Sequence, residues 1–226
     1  MWFETSPDEM KWKVHKIPET KRTATTRNRT GKNSNLILAI YVDDGVLMSD
    51  SIQEMKKLLE ELQQEFNMRI VREPKTFIGM ELSKTPEGLK ITQSWYARKI
   101  LERFGMEESK PVKTLMVKQD NIQEERYLVR KAIGSLLFLF NKTRPDMSYG
   151  VNVCSRYTDK SADKLIINVK RIFRYVQGTR DAGVPYNMNE PDDELVAFSD
   201  SDYAGDFETR RSMIGFLIMC RGGPIS

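Results

Sequence analysis

The chain has 226 residues, 39% hydrophobic and 30% charged, the composition of a globular protein with one or two cored domains and not of a disordered or membrane one. Its longest apolar run, Leu36 to Val42, is far too short to cross a bilayer, and Met1-Trp2-Phe3-Glu4 lacks the basic start and apolar middle of a secretory signal, so an intracellular protein away from membranes is expected. The net charge of +4, from 36 basic and 32 acidic residues, lies wholly in residues 1–35, which hold eight basic and four acidic side chains.

Residues 1–35 show no sustained apolar period and are dense in Thr, Asn, Arg and Lys, which reads as a basic, poorly ordered leader. Lys21, Arg22, Arg27, Arg29 and Lys32 fall in it without an intervening acid. They are either a solvated tail or a salt-sensitive nucleic-acid contact. His15, the only histidine, has no Cys or second His near it and reads as a surface residue.

Leu36 to Met48 is the stretch around which the rest is organised. Apolar residues lead into Asp43-Asp44-Gly45 and out again, the pattern of a β-hairpin with an Asp-Gly turn. Two carboxylates side by side repel unless solvent screens them or divalent cations bind them, and magnesium suits one or two carboxylates combined with phosphate and water. A solvated Asp-Gly turn and a metal site are both consistent with these residues alone.

Ser51 and Glu54 form a capping box, followed by Ile52, Met55, Leu58, Leu59, Leu62 and Phe66 at helical spacing. Met68 to Leu82 reads as two strands around Glu73-Pro74-Lys75, with Phe77 to Leu82 as the second. Pro86-Glu87-Gly88 turns into Leu89-Lys90-Ile91. Gln93 to Phe104 is helical, with Tyr96, Ile100, Leu101 and Phe104 on one face and Gly105 as its stop. Lys110 to Gln123 reads as a linker, and helical patterns return from Tyr127 to Phe140.

Thr143-Arg144-Pro145-Asp146 breaks that helix and starts another. A further helix from about Ser161 to Gln177 puts Ile166, Val169, Ile172, Phe173 and Val176 inside and Lys170, Arg171 and Arg174 outside. Those three cations either face solvent or meet a phosphate backbone. Glu194 to Phe198 is a strand delivering Ser199-Asp200-Ser201-Asp202, and Ser212 to Cys220 is its partner, so a sheet is started whose remaining strands must come from elsewhere. Cys154 and Cys220 form no metal-ligand pattern and read as reduced packing thiols.

Over residues 36–226 the chain resembles the Pol polyprotein of copia-type LTR retrotransposons. The marks are Tyr41-Val42-Asp43-Asp44, Phe77-Ile78-Gly79-Met80, Gln93 with Tyr96, Phe104 with Met106, and Ile133-Gly134-Ser135-Leu136. Further along come Thr143-Arg144-Pro145-Asp146, Lys170 to Tyr175 with Gly178-Thr179, and Ser199 to Asp206 with Arg210-Arg211-Ser212. The resemblance implies an α+β fold: residues 36–115 a partial reverse-transcriptase palm with its YxDD β-hairpin and a thumb-like helix, 116–192 a helical connection, and 193–226 the first strands of a ribonuclease H-like domain.

It also implies that Asp43 and Asp44 bind two Mg²⁺ (or Mn²⁺) ions for nucleotidyl transfer, with Tyr41 and Val42 near the primer end. Asp200 matches the first ribonuclease H carboxylate, with Asp202 a second metal candidate. The implied partners are an RNA template and an RNA/DNA hybrid, and the implied locations are a cytoplasmic particle or the nucleus.

The departures limit that reading. The two-metal mechanism needs a carboxylate from an earlier palm strand; only 42 residues precede Asp43, they do not resemble that strand, and Asp8 stands in no apolar strand. Later ribonuclease H carboxylates would lie beyond Ser226, and Leu165 stands where the family often has His. The expectation is therefore a polymerase and ribonuclease H fragment inactive by itself. The alternative is a retained or decayed transposon remnant acting, if at all, as a nucleic-acid-binding module.

Overall fold

A computed structural model describes residues 12–15, 36–41, 44–116, 128–158, 163–190, 195–205, 210 and 212–225. The chain divides into two compact units, Met1–Leu82 and Ser83–Ser226.

The first unit contains β1 (Trp12–His15), β2 (Leu36–Tyr41), β3 (Asp44–Ser49), α1 (Ile52–Glu65), β4 (Arg69–Arg72), β5 (Thr76–Phe77) and the start of β6 (Met80–Thr85). Strands β1 to β4 form one antiparallel sheet in the order β2-β3-β1-β4. Strands β2 and β3 are therefore antiparallel neighbours, and β1 lies within the stretch read as a leader. It pairs with β3 on one side and β4 on the other, so hydrogen bonding along both edges fixes four residues that have too little period to announce themselves.

Alternation along β3 decides which face is core. Leu47 is fully buried and packs with Met55 and Leu59 of α1, flanked by Leu36, Leu38 and Ile70. Burying each such side chain contributes about 1.5–3 kcal/mol. Ser51 caps α1 as expected, its hydroxyl accepting from the Glu54 N–H at 3.4 Å.

The expected single strand from Phe77 to Leu82 is instead a tight hairpin. Phe77 pairs with Met80, and the two residues between them have positive φ, 49° at Ile78 and 73° at Gly79. That is the type I′ geometry whose twist matches the flanking strands, and Gly79 makes it accessible.

The second unit contains β7 (Gly88–Thr92), α2 (Ser94–Arg103), α3 (Val129–Thr143), a single 3₁₀ turn (Pro145–Met147), α4 (Ser148–Arg156) and α5 (Asp163–Gly178). These are followed by β8 (Gly183–Asn187), β9 (Val196–Ser201), β10 (Ile214–Cys220) and β11 (Gly223–Pro224). One apolar core joins the four helices: Ile100 and Leu101 of α2, Leu136 and Leu139 of α3, Val151 of α4, and Val169, Ile172, Phe173 and Val176 of α5. Helical spacing placed Ile166, Val169, Ile172, Phe173 and Val176 inside; the last four are fully buried and Ile166 is half-buried. Leu165 is also buried in this core, which gives it a packing role.

Strand β8 was not expected within residues 116–192. It pairs antiparallel with β7, Gly88 opposite Asn187 through Thr92 opposite Gly183, a long-range pairing that the local pattern does not disclose. Strands β9, β10 and β11 form a small sheet with β9 at one edge. Its apolar side chains stand open, Phe198 at 56%, Phe216 at 66% and Ile214 at 77% exposure, as expected of a sheet started but not covered.

Candidate functional site

The β2–β3 hairpin pairs Tyr41 with Asp44 and Ile40 with Gly45. Gly45 is thus a strand residue, not the turn residue expected from Asp-Gly. It sits in register between Ile40 of β2 and Val14 of β1. Val42 and Asp43 lie between the paired ends in sequence and outside the described residues.

Since Leu47 faces α1, period-two alternation places Asp44, with Val46 and Met48, on the sheet face that α1 does not cover. Tyr41 stands at the same end of the hairpin, 57% exposed. The neighbour of Asp44 in register on β1 is His15, and β1 contains no carboxylate. Among the described residues no group of three His, Cys, Asp or Glu side chains is placed to hold a metal ion. The described residues therefore supply one carboxylate of the expected pair, Asp44, and do not by themselves make a magnesium site.

Asp200 and Asp202 belong to the second unit. Asp200 lies on β9 opposite Gly215 and is exposed. Asp202 follows the strand and closes the β9–β10 loop: its N–H donates to the Met213 carbonyl at 3.0 Å, and its carboxylate accepts from the Met213 N–H. Of these two candidates, Asp202 is thus engaged in holding a loop.

The basic candidates also separate. Lys21, Arg22, Arg27, Arg29 and Lys32 lie outside the described residues. Arg171 and Arg174, expected to point outward, reach instead to the segment after α2. Arg174 Nε donates to the Lys110 carbonyl at 2.7 Å, and Arg171 Nε to the Thr114 carbonyl at 3.0 Å. Lys170 is half-buried on the same helix.

Most of the marks that carried the resemblance in the second unit bond to one another. Gln93 Oε1 accepts from the Thr143 hydroxyl at 2.9 Å, both side chains being 1% exposed. The Tyr96 hydroxyl donates to the Ser135 carbonyl at 3.3 Å. Arg144, 2% exposed, forks onto Asp146 at 2.9 and 2.8 Å and donates to the Thr179 carbonyl at 2.9 Å and hydroxyl at 2.8 Å. The Tyr175 hydroxyl completes the group on Asp146 at 2.9 Å.

Sequence reasoning read Thr143 to Asp146 only as a helix break and missed this network. The Arg-Pro-Asp spacing holds no hint that the acceptors sit 35 residues away. Burial pushes the Asp146 carboxyl up, but the Arg144 hydrogen bonds and charge, with the Tyr175 hydroxyl, outweigh it and hold the group below its ordinary value. Burial and the Asp146 carboxylate push Tyr175 up, so it stays a neutral donor. The arrangement fixes helix ends; it presents no reactive group.

Residues 1–118 match the family model described as reverse transcriptase (RNA-dependent DNA polymerase). The chain is 30% identical over 213 residues to the retrovirus-related Pol polyprotein from transposon TNT 1-94 of Nicotiana tabacum, covering 88% of this chain and 16% of that protein. It is 31% identical over 220 residues to the Pol polyprotein from transposon RE2 of Arabidopsis thaliana, covering 94% of this chain and 15% of that one. An uncharacterized mitochondrial protein of Arabidopsis thaliana is 35% identical over 188 residues, covering 80% of this chain and 77% of the relative. No solved structure matches. The chain spans about one sixth of the Pol polyproteins it matches, and the family match reaches back over the stretch that contains β1. This chain belongs to the reverse transcriptase (RNA-dependent DNA polymerase) family, and its relatives include copia-type retrotransposon Pol polyproteins.

Proposed function

We propose that the chain is the part of a retrotransposon polymerase that carries the YxDD hairpin, with β2 to β6 as later palm strands and α2 as the start of the thumb. The observation that carries this is the hairpin itself: Tyr41 and Asp44 are paired at the end where β2 passes into β3, and Asp44 lies on the sheet face left uncovered by α1. In this reading Asp43 and Asp44 are the metal-holding carboxylates, with magnesium supplying charge neutralisation at the transferring phosphoryl group. Tyr41 and Val42 border the primer end. The RNA template and the growing hybrid are the partners, and the protein works in a cytoplasmic particle or the nucleus.

A hairpin pair of carboxylates is an incomplete set for this chemistry. The sheet position beside Asp44 is filled by β1, whose four residues Trp12-Lys13-Val14-His15 contain no acid. This supports the reading that the isolated chain does not polymerise and that another strand must supply the remaining ligand. Asp200, at the exposed edge of the β9–β10 sheet, is proposed as the first carboxylate of a ribonuclease H-like domain; Asp202, tied to Met213, is the weaker metal ligand.

Primer extension on an RNA template with Mg²⁺ or Mn²⁺ tests both parts. No incorporation by this chain, and incorporation when the hairpin is presented within a full-length Pol polymerase but not in its Asp43→Asn, Asp44→Asn form, is the expected result. Incorporation by the full-length double variant equal to wild type refutes the assignment of the site. A second reading, a remnant kept as a nucleic-acid-binding module, is favoured by one observation: from residue 164 to 178, α5 carries no acidic residue.

A further inference from the structure

The outward side of α3 carries a residue that packing within the unit does not explain. Gly134 stands near the middle of the helix and is exposed, and among the described residues a Cβ added there would meet nothing within 4 Å. Glycine loses more backbone freedom than alanine on entering a helix, and no described neighbour needs the missing side chain. At about 100° per residue, Gly134 points directly away from Ala132, Leu136 and Leu139, which face the core.

The residues around it form one patch. Arg130 and Lys131 lie one turn before Gly134, and Leu137 and Phe138 one turn after, so all five share the outward side. The charges of α3 are Arg130, Lys131 and Lys142, and the helix contains no acid. Phe138 is 40% exposed, yet its ring is held in place. Tyr96 meets it edge-on with centroids 4.9 Å apart, and the Tyr96 hydroxyl is itself fixed on the Ser135 carbonyl. A large surface ring already ordered in this way loses little freedom when it is covered.

We propose that this face of α3 is a self-association surface on which a second copy of the chain packs antiparallel, the two helices crossing at Gly134. With no side chain at the crossing, the axes approach to the near end of the usual range, about 8 Å. The interface is isologous, so each contact occurs twice. The two-fold axis sets residues after Gly134 against residues before it in the other copy, on the same side of the patch. Phe138 then meets Lys131 of the second copy, a cation over a ring. Leu137 meets the aliphatic stem of Arg130 of the second copy.

Charge selects this arrangement. A parallel pair would bring Lys131 against Arg130 of the other copy, and α3 has no carboxylate to relieve the repulsion. The antiparallel pair gives each of these cations an aromatic or apolar partner and keeps like charges of the two copies apart. The spacing of three and four residues on each side of Gly134 is thus complementary to itself. The inference stands apart from polymerase chemistry at the hairpin.

The test is sedimentation equilibrium of the full chain, nuclease-treated, from micromolar to near-millimolar concentration. One helix crossing buries less than the about 1,200 Å² of stable complexes, so association is weak and is read at the upper end of that range. The weight-average mass is expected to rise from the 26.3 kDa of one chain toward twice that value. Gly134→Leu, which fills the crossing, abolishes the rise. Phe138→Ala and Lys131→Glu each raise the dissociation constant by about tenfold or more, because each removes two contacts at once. Gly134→Ala raises the melting temperature, alanine being the better helix former, and still weakens the dimer. That opposite movement separates an interface from a folding defect. Asp44→Asn leaves the mass profile of wild type unchanged.

A chain that keeps the mass of one copy at every concentration overturns the proposal. So does a dimer that Gly134→Leu and Phe138→Ala leave intact, or one that Lys131→Glu strengthens, as a parallel pair would require. A chain that associates only before nuclease treatment, or that stays single and binds poly-L-glutamate through Lys131, has another occupant on this face and overturns it as well.

Discussion

Replacing Asp146 by Asn is expected to destabilise the second unit by about 2–3 kcal/mol. Arg144 is 2% exposed, so its charge stays buried when its partner is neutralised, and removing one member of a buried pair costs about 3–5 kcal/mol. Asp146 is 41% exposed, so water already reaches its carboxylate and replaces part of what is lost, which sets the estimate below that range. The Thr179 carbonyl and hydroxyl continue to accept from Arg144, limiting the damage further.

At about 2–4 °C per kcal/mol for a chain of this size, the melting temperature falls by about 4–12 °C. The pH dependence gives a second handle. The folded carboxyl titrates below its unfolded value, so the folded state binds fewer protons. The stabilisation is therefore present above the unfolded carboxylate pKa and is lost as pH falls below about 4, through the folded pKa. Urea midpoints between pH 2.5 and 6 should show a steeper fall for wild type than for Asp146→Asn. A variant that melts within a degree of wild type, with the same pH profile, refutes the argument that the buried guanidinium depends on this carboxylate.

Three further outcomes follow from the packing. Burial pushes the Cys154 thiol up to about 11, so in the native chain Ellman's reagent should label Cys220 and leave Cys154 unmodified; a Cys220→Ser chain that still reacts quickly contradicts this. Ile78 has φ of 49° in a two-residue turn before Gly79, a conformation a β-branched residue resists. Ile78→Asn should raise the urea midpoint by an amount equivalent to about 0.5–1 kcal/mol, and a lower midpoint counts against a type I′ turn. Leu47→Ala should cost about 2–5 kcal/mol, detected as faster hydrogen exchange in α1, since Leu47 is fully buried against Met55 and Leu59; unchanged exchange contradicts that core.

Helices were legible because their signals are local. Ser51 with Glu54, and Val169, Ile172, Phe173 and Val176 at helical spacing, are complete within one segment. What escaped was non-local. Trp12-Lys13-Val14-His15 does alternate, but four residues are too few to stand out until β3 and β4 close on both edges. Pro185 disguised β8, because a proline argues against a strand and nothing nearby reveals the pairing with Lys90.

The same distinction holds at the candidate site. The apolar runs on either side of Tyr41 to Asp44 predict a hairpin, whereas its register, with Gly45 inside β3, depends on pairing with Ile40 and Val14. Arg171 and Arg174 looked like outward cations because their acceptors, Thr114 and Lys110, are 57 and 64 residues away. Arg144 could not be told from a surface arginine without knowing that Thr179 meets it.

The measurement that bears most directly on the central claim is radiolabelled nucleotide incorporation by this chain on a primed RNA template. It is made with Mg²⁺ and with Mn²⁺, beside the Asp43→Asn, Asp44→Asn variant. The account predicts no signal above the variant, because the strand beside Asp44 brings no acid to the hairpin. Template-dependent incorporation that disappears in the variant would contradict it, and would mean that this chain assembles a complete polymerase site.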